Sequence, residues 1–391
     1  MSTDDNQDIM LQAQCLCKGF TFTTQIPRQS LPLEGSMCHC KSCRNVTGAM
    51  FSSDTNWPGP LNIILDSDLK RYEFTANVTI LFCGTCSTPM FWDEHYQNKP
   101  NHLSVFTGVL KDVEDGNLIK FVDQIFVGDT KDGGISPWLQ DVNHDGSKPR
   151  LWEGRSGKSN ELDEDSLASK GTVLSEKVAK TGIAMHCRCK GVQLVFRPSN
   201  VDFSTMDLSD IPGYIDRKSH KHLATLDPCN SCRLSTGIDM MNWTFALPAQ
   251  IEFAESSEGS KFPQNTHELK NAVQSAERDS RYGTLTFYAS SPDVQRYFCS
   301  RCSATVFYTV DDRPNVIDVA VGLLHAPEGA RAESVLAWNL GAQMMSEKEF
   351  GDTWRGNLVK SVKAGSEKWR IKKGYEKTWS RLNIEEAQKK S

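Results

Sequence analysis

No apolar run in the chain approaches the ~20 residues needed to span a bilayer. No excess of one charge sign stands out either: 44 Lys and Arg against 49 Asp and Glu leave a formal net charge of −5. The first absence argues against a membrane partner, and the second removes any general pull toward nucleic acid or anionic lipid. The start, Met1-Ser2-Thr3-Asp4-Asp5, lacks both the apolar core of a secretory signal and the arginines of a transit peptide. A cytoplasmic location is therefore expected, with a nuclear one also open. No glycine-rich phosphate loop follows a strand pattern, and no Ser/His/Asp arrangement is evident. The 391 residues are 38% hydrophobic and 24% charged, enough for two or three soluble domains, each with its own core.

Cysteine is what the chain has in plenty. All thirteen fall in tight clusters: Cys15 and Cys17; Cys38, Cys40 and Cys43; Cys83 and Cys86; Cys187 and Cys189; Cys229 and Cys232; Cys299 and Cys302. In a reducing compartment, Cys-x-Cys and Cys-x-x-Cys pairs read as metal ligands rather than disulfides.

The clusters also repeat. Cys38-His39-Cys40-Lys41-Ser42-Cys43-Arg44, ending in Thr47-Gly48, has a near copy in Asp227-Pro228-Cys229-Asn230-Ser231-Cys232-Arg233, ending in Thr236-Gly237. The first thiol of the copy has become Asp227. Cys15-Leu16-Cys17-Lys18-Gly19 is matched by Cys187-Arg188-Cys189-Lys190-Gly191, and each runs into an alternating segment expected to be a half-buried strand. The glycine is expected to let the chain turn sharply there. Tyr72 precedes Cys83, and Tyr288 precedes Cys299, by the same interval. β-Branched and aromatic runs follow in both halves, so a duplicated β-rich unit is expected. Residues 199–226 and 252–280 read as polar insertions. From 343 the pattern turns helical and basic, with Lys368, Arg370, Lys372, Lys373, Lys377 and Arg381 beside Trp369, Tyr375 and Trp379. One reading is a contact for an acidic partner or nucleic acid. The favoured one is an amphipathic helix that packs its aromatics on the β unit and leaves its lysines solvated.

Cys15, Cys17, Cys83 and Cys86 form a four-thiolate set suited to a structural zinc, and Cys187, Cys189, Cys299 and Cys302 repeat it. Cys38, Cys40 and Cys43 leave a fourth position open, as catalytic zinc sites do. Zinc with three thiolates is a weak Lewis acid for water but binds an incoming thiol as its thiolate, which points to sulfur chemistry. The alternative is a closed site with His39, His95 or His102 as fourth ligand. Asp227, Cys229 and Cys232 are a harder ligand set, either retuned or, as favoured, decayed. Lys41, Arg44, Arg71 and Arg233 are candidates to receive a substrate carboxylate, though surface cations are more often only solvated.

Taken together, the motifs Cys15-x-Cys17, Cys38-His39-Cys40-x-x-Cys43, Thr47-Gly48 and Phe82-Cys83-x-x-Cys86, with the second set at 187–302, resemble the glutathione-dependent formaldehyde-activating enzyme and centromere protein V domain family. The resemblance implies a mainly β chain of two tandem Mss4-like β-tent zinc domains with a short helical C-terminal tail. The expected divisions are a flexible N-terminus at 1–12, the first domain at 13–140, a polar linker at 141–180, a second, degenerate domain at 181–342 and the basic tail at 343–391. It also implies structural zinc on the outer cysteines and catalytic zinc on Cys38, Cys40 and Cys43. The activity implied is that of a carbon–sulfur lyase joining formaldehyde to glutathione. Two other functions are compatible with the resemblance: a non-catalytic zinc scaffold of the centromere protein V type, and an enzyme processing a larger glutathione conjugate. The expected partner is a small thiol, glutathione or its adduct. Tandem copies and Asp227 depart from the family pattern and leave the substrate open.

Overall fold

The structure, a computed structural model, describes residues 8–113, 117–168, 182–255, 261–344 and 349–390. It is mainly β. Alternating segments become strands because one face of each carries the apolar residues. In β1 (Asp8–Gln14) Leu11 and Ala13 are buried, and in β2 (Thr21–Pro27) Phe22 and Ile26 are; the two pair as a hairpin. This places residues 8–12, expected to be flexible, in a strand, because Leu11 docks on the core; residues 1–7 lie outside the described residues.

The first half continues with β3 (Leu33–Cys38), helix α1 (Lys41–Thr47), β4 (Ser52–Asn56), β5 (Lys70–Thr75), β6 (Val78–Phe82), β7 (Pro89–Glu94), β8 (His102–Phe106) and β9 (Ile119–Ile125). After them come β10 (Arg150–Trp152) and β11 (Glu161–Leu162). The second half has β12 (Ile183–His186), β13 (Gln193–Phe196), β14 (His222–Asp227), α2 (Asn230–Thr236), β15 (Met241–Ala246), β16 (Ile251–Phe253), β17 (Leu285–Ser291), β18 (Val294–Cys299), β19 (Thr305–Val310), β20 (Ile317–Ala320) and β21 (Leu336–Trp338).

In the large sheet of the first half the strands lie in the order β5-β6-β7-β8-β4-β3-β9-β10-β11. In the second half the order is β17-β18-β19-β20-β15-β14-β21. The first seven positions therefore correspond one to one. Directions correspond too: the pairs β3–β9 and β14–β21 are parallel, and the other pairs among the seven are antiparallel. The buried apolar side chains of both halves form one continuous core, so the halves face each other directly.

Much of the segment read as a polar linker is folded. β10 extends the first sheet by pairing parallel with β9, and Trp152 donates Nε1–H to Asp123 over 2.8 Å. Leu151 and Trp152 are buried, which suffices to anchor the strand although its surroundings are polar. Residues 169–180 of that segment lie outside the described residues. The insertions are also anchored: Phe203, Ile211 and Ile215 make a small satellite core, and the helix Thr266–Gln274 buries Leu269 and Val273.

The tail forms α3 (Trp354–Lys373) and α4 (Trp379–Lys390). α3 begins at an N-cap, Thr353, which accepts from the Gly356 amide, and ends at Gly374 in the left-handed conformation. Its buried stripe is Trp354, Leu358, Val359, Val362 and Trp369. Gly365 lies against the Trp138 carbonyl, where a Cβ would collide. Of the aromatics expected to pack, Trp369 is buried and Trp379 partly buried, but Tyr375 is exposed, and two arginines of the tail are buried. Arg355 is buried between Asp239 (2.9 Å) and Asp112 (2.7 Å), and buried Arg381 pairs with Glu367 and Glu385. No helix among the described residues is long and apolar enough to cross a membrane.

Candidate metal centre

Two four-sulfur groups form where distant turns meet. Cys15 and Cys17 stand in the β1–β2 turn, and Cys83 and Cys86 in the β6–β7 turn; Cys187, Cys189, Cys299 and Cys302 repeat this in the second half. Sulfur–sulfur distances are 3.6 Å for Cys15–Cys17, Cys17–Cys83 and Cys187–Cys189, and 3.4 Å for Cys189–Cys299. Backbone amides point at the sulfurs: Phe20 to Cys15 (3.3 Å), Cys17 to Cys86 (3.4 Å) and Cys302 to Cys299 (3.4 Å). Such donors favour the thiolate, the form that ligates a metal. The tight turn falls one residue earlier than expected. Lys18 and Lys190, not the glycines after them, take positive φ, at 62° and 55°.

The inner loops owe their shape to the shared motif. Cys40 is the N-cap of α1, its sulfur accepting the Cys43 amide over 3.2 Å; Cys229 caps α2, accepting from Cys232 over 3.3 Å. Thr47 and Thr236 bond back to the carbonyls of Cys43 and Cys232, and Gly48 and Gly237 close the helices at φ 81° and 72°. One turn of helix thereby brings the ligand atoms of Cys38, Cys40 and Cys43 together, and in the copy those of Asp227, Cys229 and Cys232.

No histidine or carboxylate among the described residues joins the first trio. His39 is fully buried elsewhere: its Nε2–H donates to the Gln124 side chain (2.9 Å), its ring packs on Phe51, and burial lowers its pKa to about 4. His95 and His102 are likewise outside the group. Hydrogen bonds with the thiols of Cys38 and then Cys43 hold Cys40 down to about 3, while the contact with Cys40 pushes Cys38 well up.

The cations considered for a substrate carboxylate divide. Arg233 is buried, donating to the Gly108 and Leu110 carbonyls, and burial lowers its pKa to about 9. Arg44 is buried and donates to the His39 carbonyl. Arg71 bonds the Leu65 carbonyl and lies 3.9 Å from Asp93. Lys41 remains exposed on the first turn of α1.

The copied loop differs by more than Asp227. Asp227 accepts from the Cys229 amide (2.9 Å) and the Cys232 thiol (3.1 Å), and Arg296 places Nη1 3.7 Å from that same sulfur. Arg296 also donates to Ser290 and lies over the Tyr308 ring. In the strand registers Tyr288–Arg296–Tyr308 corresponds to Tyr72–Ile80–Trp92, so Arg296 replaces Ile80. Aligning the two Cys-x-x-Cys pairs would have exposed this change in the sequence.

Residues 10–129 match the glutathione-dependent formaldehyde-activating enzyme family. No curated protein and no solved structure matches the chain.

Proposed function

From the match of residues 10–129 to the glutathione-dependent formaldehyde-activating enzyme family, we propose that the chain is a zinc-dependent carbon–sulfur lyase acting on glutathione or a glutathione adduct. The site is the loop of Cys38, Cys40 and Cys43. One observation carries the reading: three ligand sulfurs converge there and no fourth ligand from the described residues closes the set.

The four-sulfur groups fit zinc. A tetrahedron of sulfurs ~2.3 Å from an ion has edges of ~3.8 Å, close to the 3.4–3.6 Å separations. These ions would staple β-turns distant in sequence and add to folding free energy. At the inner loop zinc supplies, when bound, a thiol held as its thiolate at neutral pH. In the reaction a sulfur–carbon bond forms at the carbonyl carbon, and the proton lost by the thiol ends on the carbonyl oxygen; cleavage returns both. The chain's own residues hold this geometry. Cys40 fixes the first turn of α1, Thr47 and Gly48 fix its last, and buried Arg44 ties the helix to the His39 carbonyl.

The shared strand order supports two units related by tandem duplication, near 13–140 and 181–342, with the first sheet extended through β11. In the second, Asp227 and Arg296 support a loop that has left the chemistry to the first.

Zinc analysis and turnover of S-hydroxymethylglutathione, wild type against Cys40→Ser, test the reading. The variant should lose one zinc per chain and at least about 100-fold in turnover, with an unchanged circular-dichroism spectrum. Unchanged turnover would refute it. A fully metallated wild type inert toward every glutathione adduct would favour the scaffold reading.

A further inference from the structure

We propose that Arg188, carried by the second half, is a carboxylate-binding residue of the Cys38–Cys40–Cys43 site in the first half, which makes the ligand an anionic thiol or its adduct. This rests on the reading of that loop as a thiol site.

The Cys187-Arg188-Cys189 knuckle is docked on the first half. The Arg188 amide donates to the Asn45 carbonyl of α1 over 2.9 Å, two residues past Cys43. Its guanidinium lies over the ring of Phe74 at 5.4 Å, and Phe74 meets Trp92 edge-on at 5.1 Å. Trp92 pairs across the sheet with Ile80. In the second half those register positions hold Tyr308 and Arg296, and Arg296 touches Cys232 of the matching loop. By that correspondence, Phe74 and Trp92, over which Arg188 lies, stand on the side of the sheet that borders the thiol loop in the copy.

The guanidinium is held there with its polar capacity unspent. Its Nε is buried without a hydrogen-bond partner, and among the described residues no carboxylate pairs with the side chain. A planar guanidinium on an aromatic face, with donors free, is suited to a bidentate carboxylate. Lys41, exposed on the same helix, adds a second positive charge near the loop. His325 is fixed 3.1 Å from the Asn45 side-chain amide and stacks on His186 at 3.8 Å, walling this side of α1.

The comparison of halves separates this role from a structural one. Leu16 occupies the place of Arg188 in the Cys15-Leu16-Cys17 knuckle, and Asn230 occupies that of Lys41. The four-sulfur group of the first half thus forms without an arginine. At these two motif positions the cations Arg188 and Lys41 have no cationic counterpart, whereas the cation of the copied loop, Arg296, stands against the Cys232 sulfur itself.

Titration calorimetry on the zinc-loaded full chain tests this, using glutathione and the uncharged thiol 2-mercaptoethanol with wild type, Arg188→Leu and Arg188→Lys. Zinc content is measured on each sample. Arg188→Leu should raise the glutathione Kd at least tenfold and leave the 2-mercaptoethanol Kd and the zinc content unchanged; Arg188→Lys should recover part of the loss. If wild type binds both thiols and Arg188→Leu binds glutathione equally well, the inference is wrong while the thiol site stands. Loss of zinc in Arg188→Leu would make the residue part of the knuckle and also overturn it. If wild type binds neither thiol, the reading of the loop fails and this inference falls with it.

Discussion

The amide of Gly322 donates to the carbonyl of Gly48 over 2.9 Å, tying the end of β20 in the second half to the cap of the thiol-loop helix in the first. Its mirror is the amide of Gly108, which donates to Gly237 over 2.9 Å. Each thiol loop is thus closed by backbone from the opposite half, at positions where a side chain has no room. A Cβ on Gly322 would collide with the Ala49 carbonyl oxygen, and one on Gly108 with the Gly237 backbone.

Gly322→Ala should accordingly destabilise the chain by about 1–3 kcal/mol, the usual range for forcing extra volume into packed structure. Gly108→Ala should do the same. Urea denaturation read at the midpoint checks both. A loss below about 0.5 kcal/mol, typical of unconstrained surface sites, would mean the halves do not dock through these glycines.

Arg355 fastens the tail helix to both halves. It donates to Asp239 and Asp112 and to the Thr107 carbonyl, while Asp239 also accepts from the Thr107 hydroxyl over 2.5 Å. Removing one partner of a buried pair leaves the other charge unpaired, which costs about 3–5 kcal/mol. Arg355→Met should show a loss of that order, and adding Asp239→Asn should recover part of it. Equal losses in the single and double variants would show that Asp239 is not the partner that matters.

His222 gives the fold a pH dependence away from any cysteine. Its Nδ1–H donates to the Phe245 carbonyl (2.6 Å), and its Nε2 accepts from the Gln250 amide (3.1 Å), so a second ring proton would face a donor. Burial lowers its pKa to about 4 from an ordinary 6.5. A depressed folded-state value means that this stability is whole above pH 6.5 and lost as pH falls toward 4. The slope from this group approaches about 1.4 kcal/mol per pH unit within that window. Denaturation midpoints for His222→Gln should therefore fall less steeply than wild type between these pH values. Parallel curves would assign the acid sensitivity elsewhere.

Both thiol loops could be read from the sequence because their information is local. The N-cap cysteine, the back-bonding threonine and the C-terminal glycine lie within one short motif, and each does in the structure what its chemistry suggests. β10 and β11 carry no legible pattern because strands of three and two residues offer too little alternation, with only Leu151 and Trp152 to mark the first and Leu162 the second. The contacts of Arg188 with Asn45 and Phe74, and the burial of Arg44 and Arg233, depend on how the halves meet. No local pattern encodes that. Arg296 lay within reach, since it sits at the same distance from its Cys-x-x-Cys pair as Ile80.

That last substitution decides the metal count. In the copied loop the Asp227 carboxylate is already met by the Cys229 amide and the Cys232 thiol, and the Arg296 guanidinium stands 3.7 Å from the Cys232 sulfur. A divalent ion there would face a fixed positive charge in a buried setting, where charges interact strongly. The first loop has Ile80 at that place and three sulfurs. The wild type should therefore carry three zinc ions per chain, one for each all-sulfur group. The double variant Asp227→Cys/Arg296→Ile, which copies the first loop into the second, should carry one more. Elemental analysis after removal of loosely held metal distinguishes the cases. Four ions already in the wild type would mean that Arg296 steadies a ligated thiolate instead of taking the metal's place, and the second loop would have to be counted as a site.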